Sequence, residues 1–236
     1  MAGLNPHYGS ELHVLRMLGR HREFFNRKVL DATGADGIEW LDFPSGNVRR
    51  EGKKKKPAWD CEWDHLNFLS DGDSARESWG RAWPLHRKGP HWDAIGRLRF
   101  GGEICEWLLV EAKANLEELS SSCGAKGSLA RICQTLDETK SLLGVADNCD
   151  WLNGHYQYCN RLVVLDLMNR AGSAARLAYV YFYGDVGDKR RTCPASPSEW
   201  EPALRQQDTH VGLPPGHHLE QRIHRLFIDA RIRTPE

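Results

Sequence analysis

The run Trp107-Leu-Leu-Val-Glu-Ala-Lys-Ala114 sets the strongest limit on the fold of this chain. Its first half is apolar at consecutive positions, so both faces of the strand it forms must be covered, as in the interior of a sheet with helices on either side. Glu111 and Lys113 then follow on the same strand. Side chains alternate along a strand, so these two share one face and Ala112 takes the other. Charged groups placed on a buried strand need partners or a chemical use.

A second strand, residues 91–100, precedes the first, residues 104–114, and the two read as a hairpin. A three-residue turn, Gly101-Gly102-Glu103, pairs Phe100 with Ile104 and sets Asp93 directly across from Glu111. A two-residue turn shifts the register by one and separates the carboxylates, unless a bulge restores it. Two carboxylates roughly 5 Å apart repel each other. Near a core such a pair needs a proton or a cation, most simply a divalent ion on oxygen ligands, with Mg2+ expected and Mn2+ as its substitute.

Glu11 lies on the edge of the core-facing stripe of the first helix and is the candidate third carboxylate, with Glu23 as fallback. Its other reading is a favourable acid in a first helical turn. Lys113 beside two carboxylates and an ion suits positioning of water and charge stabilisation at a phosphate. Gln134, on the polar side of the following helix, is placed to orient that water or touch a phosphate.

The remaining pattern predicts one helix over residues 10–30, a strand over 37–43, helices over 128–143 and 155–170, and a strand over 176–183. The tail after Cys193 is proline-rich, followed by a helix from His217 and a strand over 226–230. Residues 44–89 are charged and tryptophan-rich without sustained periodicity, which reads as a long irregular insertion. The expected architecture is a single three-layer α/β domain, a mixed sheet flanked by helices. Its core covers about 10–43 and 90–185, and a C-terminal extension covers 186–236.

Lys and Arg total 32, as do Asp and Glu, so bulk charge does not draw this chain to nucleic acid and any such contact must be local. Arg49, Arg50, Lys53, Lys54, Lys55 and Lys56 form the one basic run; it reads either as a phosphate-neutralising segment or as a solvated loop. Trp59, Trp63, Trp79 and Trp83 are candidates for stacking on bases or on a small ligand. Gln157, Asn160 and Arg161 either line a groove or satisfy local groups, and His91, on the face of Asp93, reads as an ordinary strand-start residue. Neutral charge also fits a homodimer or a partner that adds binding surface. Seven cysteines without a C-x-x-C pair read as reduced thiols, and no apolar run reaches about 18 residues, so a cytoplasmic protein without membrane contact is expected.

Taken together, an N-terminal helix with an acid, Pro90-His-Trp-Asp93, Leu-Leu-Val-Glu111-Ala-Lys113 and a helix carrying Gln134 resemble the PD-(D/E)XK nuclease superfamily. The resemblance spans residues 10–143 and the strand over 176–183. It implies a restriction-endonuclease-like fold and Mg2+-dependent hydrolysis of nucleic acid, DNA ahead of RNA. It also implies metal ligation by Asp93, Glu111 and the Ala112 carbonyl. Two further functions stand beside it: an inactive module of the same fold that binds nucleic acid or a protein, and an aromatic-lined small-ligand binder.

Overall fold

The computed structural model describes residues 9–46, 59–85, 89–186 and 190–232. Two helices, α1 (Ser10–Leu18) and α2 (Arg22–Thr33), lead into the strand β1 (Gly37–Trp40). Short strands β2 (Ser45–Gly46), β3 (Trp59–Asp60) and β4 (Trp63–Asp64) follow, then α3 (Ser74–Ala82). The hairpin region holds β5 (His91–Trp92), β6 (Ala94–Phe100) and β7 (Glu103–Lys113). After it come α4 (Leu129–Leu143), α5 (Tyr156–Arg170), β8 (Ala175–Tyr183), α6 (Pro197–Val211) and β9 (Ile223–Asp229).

Five strands form one mixed sheet in the order β1-β6-β7-β8-β9, antiparallel from β1 to β7 and parallel from β7 to β9. Strand β7 is central, as its doubly apolar run requires. Leu108, Val110 and Ala112 face a core shared with Val14, Met17 and Phe25 of α1 and α2. Leu109 faces the opposite core, with Leu162 and Leu165 of α5 and Trp200 of α6. Helices therefore cover both faces, a mixed α/β arrangement compatible with three layers.

The hairpin reaches its register by a different route from the predicted turn. Gly101 and Gly102, at φ of 64° and 85°, make a two-residue turn that pairs Phe100 with Glu103 rather than Ile104. Positive φ at both central positions is what such a turn demands, and glycine supplies it without a Cβ clash. A bulge then places Cys105 opposite no partner, because Arg99 pairs with Ile104 and Leu98 with Glu106. The extra residue returns the ladder to Arg97 against Trp107 and Ala94 against Val110. The ladder ends there, and Asp93 lies in the bend before β6, held against β7 by its N–H donating to the Val110 carbonyl at 3.1 Å and its Oδ2 accepting from the Ala112 N–H at 2.7 Å.

Several predicted elements are redrawn. The single helix over 10–30 is two, because the chain breaks at Gly19, where a missing Cβ weakens the helix, and Arg22 Nε donates to the Leu18 carbonyl at 2.6 Å. The insertion is not irregular throughout: Asp73 caps α3 by accepting from the Ala75 and Arg76 N–H groups. Trp79 and Trp83 stack at 4.8 Å inside the core, each 1% exposed, so neither can stack on a base or a sugar. Trp63 is half-buried against Phe68. In the tail, the helix is α6 rather than a segment from His217, with Pro197 in its first turn, where no N–H is needed. Strand β9 joins the main sheet beside β8. The basic residues Arg49, Arg50 and Lys53 to Lys56 lie outside the described residues. No helix among the described residues is long and apolar enough to cross a membrane.

Candidate functional site

At the C-terminal end of β7 the sequence places Glu111 and Lys113 where the alternation calls for apolar side chains against α5. Both are buried, at 5% and 9% exposure, and so is Asp93 at 8%. Burial of three charges is tolerable only with close partners. Lys113 Nζ donates to Glu111 Oε1 at 2.5 Å and to Gln157 Oε1 at 3.0 Å. Arg161 donates to Glu111 Oε2 from Nε at 2.9 Å and from Nη2 at 2.6 Å. Asp93 Oδ2 accepts the Ala112 backbone N–H at 2.7 Å, which ties the strand break after β5 to β7.

These residues line one cavity of about 780 Å3. Glu11 reaches it from α1, Glu62 from the turn before β4, His91 from β5, and Gln157, Asn160 and Arg161 from α5. Ser120 to Ser122 also line it.

The charges do not balance. Five carboxylates, Glu11, Glu62, Asp93, Glu111 and Glu118, line the cavity, while its two cationic side chains, Lys113 and Arg161, both sit on Glu111. Burial pushes the Glu111 pKa up, but Arg161 and then Lys113 outweigh it and hold the group below the usual carboxylate range. For Asp93 the balance goes the other way: burial, then Glu111 and Glu62, raise its pKa well above the ordinary value and outweigh the Ala112 N–H and the charge of Lys113. Glu62 is raised to about 7 by burial and by the charges of Glu11 and Glu111. Uncompensated negative charge of this kind is what a hard divalent cation with oxygen ligands relieves. Among the described residues no group of three or more His, Cys, Asp and Glu side chains stands close enough together to hold a metal ion.

Of the residues singled out in the sequence, Asp93, Glu111, Ala112, Lys113 and Glu11 meet at this cavity. Gln134 does not. It is exposed on α4, donates to Glu138 Oε1 at 2.8 Å, and lies outside the lining, because the buried face of α4 belongs to Ile132, Thr135, Leu136 and Thr139. Glu23 is exposed on α2 and also lies outside. The polar group that reaches Lys113 is Gln157, on α5. Its spacing of four from Arg161 puts both on one helical face, a signal present in the sequence but equally consistent with local hydrogen bonding. Glu62 carries no sequence signal, since it lies in a stretch without periodicity.

Comparisons with protein-family models, with curated proteins and with solved structures return no match for this chain.

Proposed function

We propose that this chain is a Mg2+-dependent nuclease of the PD-(D/E)XK type that hydrolyses phosphodiester bonds of nucleic acid, DNA before RNA, with Mn2+ able to substitute. The observation that carries the reading is the meeting of Asp93, Glu111 and Lys113 in one cavity at the end of a central strand. The excess of carboxylates over cations there is negative charge of the kind a hard divalent ion on oxygen ligands relieves. Asp93, Glu111 and the Ala112 carbonyl would hold it, with Glu11 as a further oxygen ligand. Such an ion, when bound, supplies Lewis-acid charge at the scissile phosphate.

The chain's own groups account for the rest. Arg161 fixes the Glu111 carboxylate through two donors on one oxygen, which leaves Glu111 oriented and ionised. Lys113 spends two of its three ammonium protons on Glu111 and Gln157. The third can donate to an attacking water or to a phosphate oxygen, where fixed positive charge stabilises the pentavalent transition state. Asp93, whose pKa burial and the neighbouring Glu111 and Glu62 raise, would complete the negative side of the site around a bound cation.

A labelled-oligonucleotide cleavage assay with Mg2+, Mn2+ or EDTA tests the proposal. Metal-dependent cutting is expected, reduced roughly 100-fold or more by Lys113→Ala and by Asp93→Ala. Undiminished cleavage by Lys113→Ala sinks it.

One observation favours a second reading, an inactive module of the same fold: both Glu111 oxygens already accept hydrogen bonds from protein cations. Calorimetric titration separates the two, because the inactive module shows no Asp93-dependent uptake of Mg2+ or Mn2+.

A further inference from the structure

Behind the Lys113–Gln157 pair, on the side away from the main cavity, lies a small void whose walls include Lys113, Gln157, Tyr179, Tyr181 and Gln207. Strand register accounts for the neighbours: Lys113 on β7 stands directly beside Tyr181 on β8, and Glu111 beside Tyr179. Helix α6 closes the void with Gln207. Its free volume is about 10 Å3, close to the lower limit for holding a single water molecule.

Two polar atoms on these side chains have no hydrogen-bond partner among the described residues, Tyr181 Oη and Gln207 Oε1. Both side chains are sealed from solvent, with Tyr181 0% and Gln207 2% exposed. Of the neighbouring polar atoms, Tyr179 Oη donates to the Tyr158 carbonyl at 3.3 Å, and His155 Nδ1, 3.4 Å from Gln207 Nε2, donates to the Leu119 carbonyl at 2.9 Å. A hydroxyl and an amide carbonyl buried without partners each carry the full cost of lost hydration. The two are also complementary, because the hydroxyl can donate while the carbonyl only accepts. One water accepts from the first and donates to the second.

We propose that this void binds one structural water, held by Tyr181 Oη and Gln207 Oε1, and that through it α6 and β8 back the strand end that carries Lys113. The water site stands on burial and hydrogen-bonding alone and is independent of the nuclease reading.

A crystal structure of the full chain at a resolution that shows ordered solvent is the direct test. A density peak within hydrogen-bonding distance of both atoms is expected, and a void without one overturns the proposal. Thermal unfolding of Tyr181→Phe, Gln207→Leu and the double variant gives an independent answer that differs in sign. With the water in place each single change strands a partner and lowers Tm by roughly 2–8 °C, and the double variant loses less than the sum. If the void is dry, Tyr181→Phe removes a hydroxyl that had no partner, and Tm stays level or rises, which overturns the proposal. Neither readout uses cleavage, so an inactive wild type leaves this result standing, and a dry void leaves the nuclease reading standing.

Discussion

Arg161 holds a single oxygen of Glu111 with two nitrogens, Nε at 2.9 Å and Nη2 at 2.6 Å, deep between α5 and β7. The same guanidinium donates to the His91 carbonyl at 2.6 Å and lies 5.0 Å from the Trp92 ring centre. A planar fork with that many fixed partners pins three elements to one carboxylate, which a flexible ammonium could not do. Glu111 is thereby the mechanical centre of the site as well as its chemical one.

Arg161→Met therefore leaves Glu111 buried with Lys113 as its remaining cation. The loss of one partner of a buried pair costs about 3–5 kcal/mol. Urea unfolding monitored by tryptophan fluorescence should show the midpoint fall accordingly. A variant as stable as the wild type would show that the pair contributes nothing net.

The unbalanced carboxylates give stability a definite pH dependence. Glu62, raised to about 7 by burial and by Glu11 and Glu111, keeps a proton in the folded chain that the unfolded chain has released. Its contribution is fully present below pH 4.5 and is lost as the pH rises through about 7, and Asp93 is shifted in the same direction. Glu111 acts oppositely. Its pKa is lowered despite burial, through Arg161 and Lys113, so its contribution is present above 4.5 and lost as the pH falls through its folded pKa. Metal-free protein should thus lose stability between pH 5 and 7, and Glu62→Gln should flatten that slope. Denaturation midpoints across the range measure it, and an unchanged slope in the variant removes Glu62 as the cause.

Divalent cations should oppose the same loss. At 100 times its dissociation constant a ligand bound only to the folded chain adds about 2.7 kcal/mol, or roughly 5–10 °C in Tm for a chain of this size. Differential scanning fluorimetry with Mg2+ or Mn2+ should show such a rise at neutral pH, and Asp93→Asn should abolish it. A rise that survives in Asp93→Asn places the ion elsewhere.

Cys105 is the extra residue of the hairpin bulge, exposed and opposite no partner. Its deletion makes Ile104 and Glu106 consecutive against Arg99 and Leu98 and leaves every pair from Arg97 with Trp107 inward unchanged. The deletion should keep Tm within a few degrees and keep whatever metal binding or cleavage the wild type shows. Insertion of one residue between Glu106 and Trp107 should instead turn Glu111 and Lys113 away from the cavity and abolish both. Equal outcomes for the two changes would show that register does not position the site.

How much of this was legible in the sequence depended on the range of the interactions. The run from Trp107 to Ala114 determined by itself that β7 is buried on both faces and that Glu111 and Lys113 share a side, because alternation along a strand is a local property of the backbone. Gly34 and Gly144 end α2 and α4 for the same reason, each adopting the left-handed conformation that terminates its helix. The expected pairing of Asp93 with Glu111 was conditional in the sequence on a longer turn or a bulge; the fold chose the bulge, and a bend at Asp93, hydrogen-bonded to Val110 and Ala112, brings the carboxylate to the same cavity. Tertiary structure alone decided that Gln157 rather than Gln134 reaches Lys113, that Arg161 neutralises Glu111, that Glu62 joins the cavity, and that Trp79 and Trp83 are core. Each of these brings together residues far apart in the chain, where packing of α5 against β7 and β8, and of α3 against α5, sets the partners. Local periodicity carries no information about which of two polar helix faces a distant strand will meet.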